Sequence, residues 1–287
     1  MIAILGPGGV GGLLAALLAR VDEPVTLVAR ESTAAELGGR GLHVRSAQFG
    51  DFRACAVSVA TGVFDPSALV VATKADTLSA ALERVAGTPA VVVPLLNGIE
   101  HMALLRARFG EERVVAASIR VQATRTAPGE IEHTSTFVRV EVADDGAREV
   151  RDALERAGVS CFSGRPEAVV LWSKLVRLCA LAVTTTAYDS PLGGILATPE
   201  LRDELLACVR EAAWVSTASG APADPAKTMR EIEELGPNAS SSLRRDVQAG
   251  RAGELDAIAG AVVRAGEAVG IPCPTIDRLA REIARRV

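Results

Sequence analysis

The first twenty residues, MIAILGPGGVGGLLAALLAR, constrain the fold more than any other stretch. An apolar run, IAIL (2 to 5), stops at a glycine. Gly6, Gly8 and Gly11 fall in a G-x-G-x-x-G spacing, an Ala/Leu-rich helix is predicted over 10–20, and a β-branched run, VTLVA (25 to 29), follows. Strand, glycine turn, helix, strand is a βαβ unit. In it the first glycine makes a tight turn, the second lets backbone approach a pyrophosphate, and the third packs helix against strand. The helix start offers free N–H groups and the positive end of its dipole. Gly6, Pro7, Gly8, Gly9, Val10 and Gly11 are therefore the candidate dinucleotide contacts. The spacing alone is weak in a chain with 26 glycines, and an unliganded glycine turn stays open as the plainer reading. The flanking strands favour the dinucleotide.

Downstream, ALVVAT (68 to 73), AVVVPL (90 to 95) and RVVAAS (113 to 118) read as buried strands, with a helix over DTLSAALERVA (76 to 86). Strands alternating with helices predict a parallel, doubly wound sheet covered on both faces. GEIEHTSTFVRVEVA (129 to 143) reads as an antiparallel hairpin, 147–158 as a helix and VSCFSG (159 to 164) as a last strand. From about Glu167 every long segment has helical period, including 169–187, 198–220 and 254–270. Thr198, with Glu200 and Asp203 behind it, looks like a helix start. The expected fold is an α/β Rossmann-type N-terminal domain (1–165) that binds a dinucleotide, followed by an all-α domain (166–287) for substrate binding or dimerisation.

Length and composition suit two ordinary domains: 287 residues, 49% apolar and 23% charged. With 3% aromatics the core must be aliphatic. A net charge of −4 with mixed signs gives no reason to expect nucleic acid or an anionic membrane. The start has no signal-peptide pattern, and no uninterrupted apolar stretch reaches the length of a membrane span. Cys55, Cys161, Cys179, Cys208 and Cys273 are odd in number, lack CxxC spacing and sit in apolar runs. They read as buried free thiols of a reducing cytoplasm. No metal site is expected.

Arg30 ends the second strand, nineteen residues after Gly11. An acid there would bind a ribose 2′-hydroxyl, whereas a guanidinium suits a 2′-phosphate, so NADP is expected over NAD. A surface arginine in an Arg-rich chain is the alternative. Lys74, just past the third strand, and Asn97, in the Asn97-Gly98 pair past the fourth, stand at the sheet edge where ligands bind. Asn-Gly is also an ordinary turn pair. Only three of the 31 basic residues are lysines, and Lys174 lies in the apolar segment VVLWSKLVRLCALAVTTTAY (169 to 188). It is either a snorkelling side chain or a functional ammonium. Ser241, Ser242, Asp246 and Glu254 cluster downstream, where each also has a bland reading as a cap or surface group.

In order, GPGGVGG, TKADT, LLNGIE, PGEIEHT, LWSKL, SSLRRDVQAGRAGELDAIAG and GIPCPT resemble the ketopantoate reductase (2-dehydropantoate 2-reductase) family over essentially the whole chain. The resemblance implies an active site in the cleft between a Rossmann and a helical domain. It also implies NADPH-dependent reduction of a 2-oxo acid to a 2-hydroxy acid, ketopantoate to pantoate, within pantothenate biosynthesis. Lys174 then matches the proton donor and Asn97 a contact to cofactor and substrate. Ser242 matches the carboxylate-binding serine, and Glu254 the acid that touches the cofactor and organises the site. Arg30 and Lys74 match cofactor contacts. A proton donor explains lysine in an Arg-dominated chain, because arginine cannot release its proton.

The chain departs from the family at four positions. Leu178, Ala182 and Leu192 stand where it usually has asparagines, and Leu96 where it has glutamine. Arg177, three residues after Lys174, could replace some carboxylate binding. Three readings follow: reduction of a 2-oxo acid, with ketopantoate the best named substrate; the same chemistry on a more apolar oxo acid or an imine; and a non-catalytic NADP-binding sensor. The expected partner is a small 2-oxo acid, without nucleic acid or membrane. A homodimer stays open.

Overall fold

The computed structural model describes residues 1–287. The chain divides into two compact units, residues 1–96 with 101–170, and residues 97–100 with 171–287.

The first unit begins β1 (Ile2–Leu5), α1 (Gly9–Arg20), β2 (Val25–Val28), α2 (Glu31–Leu37), β3 (Leu42–Ser46), β4 (Gly50–Ala54) and β5 (Ser58–Ala60). It continues β6 (Val63–Phe64), β7 (Ala68–Val71), α3 (Leu78–Leu82), β8 (Val85–Ala86), β9 (Val91–Pro94) and α4 (His101–Phe109). Then come β10 (Ala117–Arg120), β11 (Ala123–Ala127), β12 (Glu130–His133), β13 (Arg139–Ala143), α5 (Arg148–Arg156) and β14 (Ser160–Arg165). Five parallel strands form the main sheet in the order β5-β2-β1-β7-β9. The chain winds outward from β1 to one side, then from β7 to the other. The strand order therefore reverses between β1 and β7, the point at which such sheets open a crevice for ligands. β1 and β7 are buried at every position, which explains their unbroken apolar runs. α1 is apolar all round for a related reason. It is buried from Gly11 to Ala19, and its Gly12 lies against Ile131 of a second, mixed sheet, β11-β12-β3-β4.

Three expected elements differ. The 129–143 segment is not a hairpin: β12 pairs with β11 and β3, whereas β13 pairs with β10 and β14. Buried Ser135 turns the chain between them, accepting from the Gln122 N–H (3.0 Å) and donating to the Phe137 carbonyl (2.8 Å). The helix over 76–86 stops at Leu82, because Val85–Ala86 is drawn into a parallel ribbon with Val63–Phe64. In the 113–118 strand only Val114 reaches the main sheet, as a bridge to Val92, and regular pairing starts at Ala117 in another sheet. The β3–β4 hairpin, unmarked by any two-residue Asn-Gly-type turn, was not expected. Cys55 is also exposed rather than buried, while Cys179, Cys208 and Cys273 are enclosed and all five thiols are free.

α6 (Glu167–Ala187) leads into the second unit. It is followed by α7 (Leu192–Ala197), α8 (Pro199–Ala218), α9 (Pro225–Glu233), α10 (Ser242–Gln248), α11 (Ala261–Val269) and α12 (Pro274–Ala284). A single π-turn over Asp256–Gly260 precedes α11. No strand follows β14. Contrary to expectation, α6 is long and apolar enough, by length and composition alone, to cross a bilayer, since its few charges are averaged over 21 residues. Two thirds (67%) of its most apolar stretch is buried within the fold, the position of a core helix.

Candidate active site

The glycine turn lies at the strand-order reversal. Gly6 takes φ +112°, and a Cβ there would stand 2.8 Å from the Ala72 carbonyl oxygen and 3.0 Å from the Thr73 nitrogen. Only glycine fits that left-handed, crowded position. A Cβ on Gly11 would collide with the Gly6 carbonyl, so the helix can start this close to the strand only without one. Above Gly8 nothing lies within 4 Å. The N-cap there makes no side-chain bond, and no acid stands in the first turn of α1. Thr73, whose backbone nitrogen lies against Gly6, has its Oγ1 buried without a hydrogen-bond partner, a cost normally met by a ligand or water. An open, uncapped, acid-free helix start next to an orphaned hydroxyl fits the pyrophosphate of a dinucleotide.

Arg30 is exposed immediately after β2, as the residue preceding α2. Its neighbour Glu31 is held by Arg84 through two bonds of 2.8 and 3.0 Å. Arg84 holds the Glu31 carboxyl down at about 2, so this acid stays charged but is engaged elsewhere. Lys74 is exposed just past β7. Sequence reasoning missed Arg125, whose Nη1 reaches the Pro7 carbonyl at 3.5 Å. It sits on β11, whose Ala123 backbone lies against Gly9, and no local signal distinguishes it from other arginines.

In the second unit, Lys174 is half-buried on α6. Ser173, Arg177 and Leu178 share that partly open face, while the rest of the helix from Cys179 to Ala187 is enclosed. Burial pulls the Arg177 guanidinium below its usual pKa, and the Glu231 carboxylate opposes this only through space. Ala182 and Leu192 are 0% exposed. Of the three apolar departures, only Leu178 therefore has surface to offer a ligand, and the other two are core. Leu96 is also buried.

Asn97 donates from Nδ2 to Glu254 Oε2 at 2.8 Å, which brings together two predicted residues 157 positions apart. Both are half-buried. The adjacent serines divide. Ser241 caps α10, accepting from the Arg244 N–H at 3.1 Å, and is buried. Ser242 is exposed. Asp246 is tied to Arg251 at 2.7 Å and serves the loop that follows α10.

A Rossmann-type unit with an open, uncapped helix start at its strand-order reversal, in a chain whose helical unit carries Lys, Asn, Glu and Ser, has the make-up of a nicotinamide-dependent oxidoreductase. Family models agree. "Ketopantoate reductase PanE/ApbA" matches residues 2–145, and its C-terminal counterpart matches residues 168–286. The chain belongs to this ketopantoate reductase family and is an NADP-dependent oxidoreductase, which sets aside the sensor reading. It is 32% identical to the 2-dehydropantoate 2-reductase of Caulobacter vibrioides, over 95% of this chain and 94% of that protein. It is 30% identical to the uncharacterized oxidoreductase YkpB of Bacillus subtilis, over 96% and 94%. The crystal structure of 2-dehydropantoate 2-reductase from Geobacter metallireducens superposes with a TM-score of 0.91 at 24% identity, covering 100% of this chain and 99% of that one. A ternary structure of D-mandelate dehydrogenase with NADH and anilino(oxo)acetate shares the fold, with a TM-score of 0.87 at 20% identity over 99% and 97%.

Proposed function

We propose that this protein reduces the carbonyl of a 2-oxo acid to the 2-hydroxy acid, with 2-dehydropantoate the first candidate substrate and Lys174 the proton donor. The observation that carries this reading is Lys174 itself, half-buried on the partly open face of a helix that is enclosed from Cys179 to Ala187. NADPH, when bound, supplies the hydride to the carbonyl carbon. The 1–165 region is its binding domain. Gly6 to Gly11 hold the pyrophosphate, Arg30 pairs with the 2′-phosphate, Lys74 adds a second cation, and Arg125 steadies the turn from above. The 166–287 region holds the substrate. As negative charge grows on the carbonyl oxygen, the Lys174 ammonium stabilises it and then gives up a proton. Asn97 spends one amide N–H on Glu254 and keeps its other N–H and its oxygen for cofactor and substrate. Glu254 fixes that amide. Ser242, exposed at the start of α10, receives the substrate carboxylate, and the desolvated Arg177 beside Lys174 supplies a countercharge.

A second reading keeps the chemistry and changes the substrate to a more apolar oxo acid or an imine. Leu178 favours it, since it presents hydrocarbon one helical turn from Lys174. The free thiols suit a reducing cytoplasm. The test is NADPH oxidation by the purified protein with 2-dehydropantoate and with branched and aromatic 2-oxo acids, each with and without added amine. No turnover of any oxo acid, or turnover indifferent to Lys174→Ala, sinks the first reading. Turnover only with amine moves the protein to the imine.

A further inference from the structure

Residues 97–100 leave the first unit's β9 and belong to the second unit. Three contacts, at Asn97, Gly98 and Glu100, hold them there. Asn97 donates to Glu254 at 2.8 Å. Gly98, at φ +82°, packs so closely on the Ala257 carbonyl that a Cβ would overlap it. Glu100 is gripped by Arg264, Nε to Oε1 and Nη2 to Oε2, both at 2.7 Å. The same guanidinium reaches back to Asp256, Nη1 to Oδ1 at 2.7 Å, Nη2 to Oδ2 at 3.1 Å and Nη2 to the main-chain carbonyl at 3.3 Å.

That carbonyl accepts the Ala261 N–H, five residues on, and so closes the π-turn. One arginine thus bridges the 97–100 segment and the widened turn that begins two residues after Glu254. Gly260 leaves the room, because a Cβ there would press on Asp256 Oδ1 and on Arg264 Nη1 at 2.9 Å. All three side chains of the bridge are substantially exposed, Arg264 by 43%, Glu100 by 50% and Asp256 by 83%. Exposed pairs add little to stability. A planar fork that engages two carboxylates at once adds geometry instead.

We propose that Arg264 is a positioning residue. It fixes the register of segment 97–100 on the π-turn, so that the Asn97 amide and the Glu254 carboxylate are held as one oriented pair. The inference rests on the roles given above to Asn97 and Glu254. It assigns to Arg264, Glu100, Asp256 and Gly260 a part in the reaction although none of them touches substrate. Lysine cannot replace the arginine fully, since a point charge cannot fork to both acids.

The test compares Arg264→Met, Arg264→Lys, Glu100→Gln and Gly260→Ala with the unchanged protein. Hydrogen exchange is read at amides 97–100, NADPH affinity by fluorescence titration, and kcat and KM with the best 2-oxo acid. Arg264→Met is expected to speed exchange at 97–100 about tenfold and to lower kcat/KM about tenfold. Arg264→Lys should recover part of both, and thermal unfolding should shift little. Glu100→Gln, which keeps Arg264 and weakens only its hold on segment 97–100, should shift both in the same direction and covers the case in which Arg264→Met does not fold, while Gly260→Ala, whose Cβ meets only the movable ends of Asp256 and Arg264, should change them less. Unchanged exchange at 97–100 overturns the proposal, as does faster exchange with kcat/KM within twofold of the parent. If the parent turns over no oxo acid, the functional reading fails separately. Exchange and NADPH affinity then decide: both altered by Arg264→Met supports the bridge, and either unaltered overturns it.

Discussion

Lys174 and Arg30 are single charges whose roles depend on what surrounds them. Lys174 can both stabilise an oxyanion and, with its pKa lowered by burial, release a proton, which an arginine at that position could not do. Lys174→Ala should cut kcat about 10²- to 10³-fold and leave NADPH affinity nearly unchanged, as stopped-flow hydride transfer and fluorescence titration would show. Arg30→Ala should weaken NADPH about 10- to 100-fold and NADH hardly at all. Arg84→Ala should act in the same direction more weakly. It frees Glu31, the acid beside Arg30, to repel the 2′-phosphate, and equal effects on the two cofactors would refute this. Arg30 and Lys174 were legible as types at positions. The Glu31–Arg84 pair was not, because it joins residues 53 apart.

At the scale of elements, the second sheet of the first unit carries a proton-linked joint. His43 on β3 lies 2.6 Å from Asp51 on β4 and 2.8 Å from Glu130 on β12. Hydrogen bonding to Asp51, and then to Glu130, raises the pKa of His43 above its usual value. A raised folded pKa contributes stability that is complete below the unfolded value, about 6.5, and is lost as pH climbs through the folded one. Thermal unfolding of the parent relative to His43→Gln should therefore show an advantage at pH 6 that shrinks as pH rises above the unfolded value. A pH-independent difference would refute the joint. The strands involved were poorly legible in sequence. β12 pairs with β3 across more than 80 residues, β3 and β4 form a hairpin with no turn signature, and the buried Ser135 that separates β12 from β13 looks like any loop serine. α1, α6 and α8 were legible because their apolar content and length are local properties.

For the whole molecule, binding to the folded chain alone must raise its stability. NADPH at about 100 times its Kd should add about 2.7 kcal/mol to the unit that binds it. In a scanning-fluorimetry experiment NADPH should move the unfolding transition up by several degrees, and NADH at the same concentration should move it less. Equal shifts would count against a 2′-phosphate site.

The sequence by itself determined that a strand–glycine turn–helix–strand opens the chain, that strands give way to helices near residue 165, and which residue types could carry reductive chemistry. These are short-range facts, set by periodicity, by turn chemistry and by the scarcity of lysine. Only the tertiary structure decided that the sheet reverses its order beside Gly6, and that Asn97 meets Glu254 across 157 positions. It also decided that Ala182 and Leu192 are sealed in the core while Leu178 is not. Contacts of that range depend on how helices and sheets pack, and no window of sequence contains both partners.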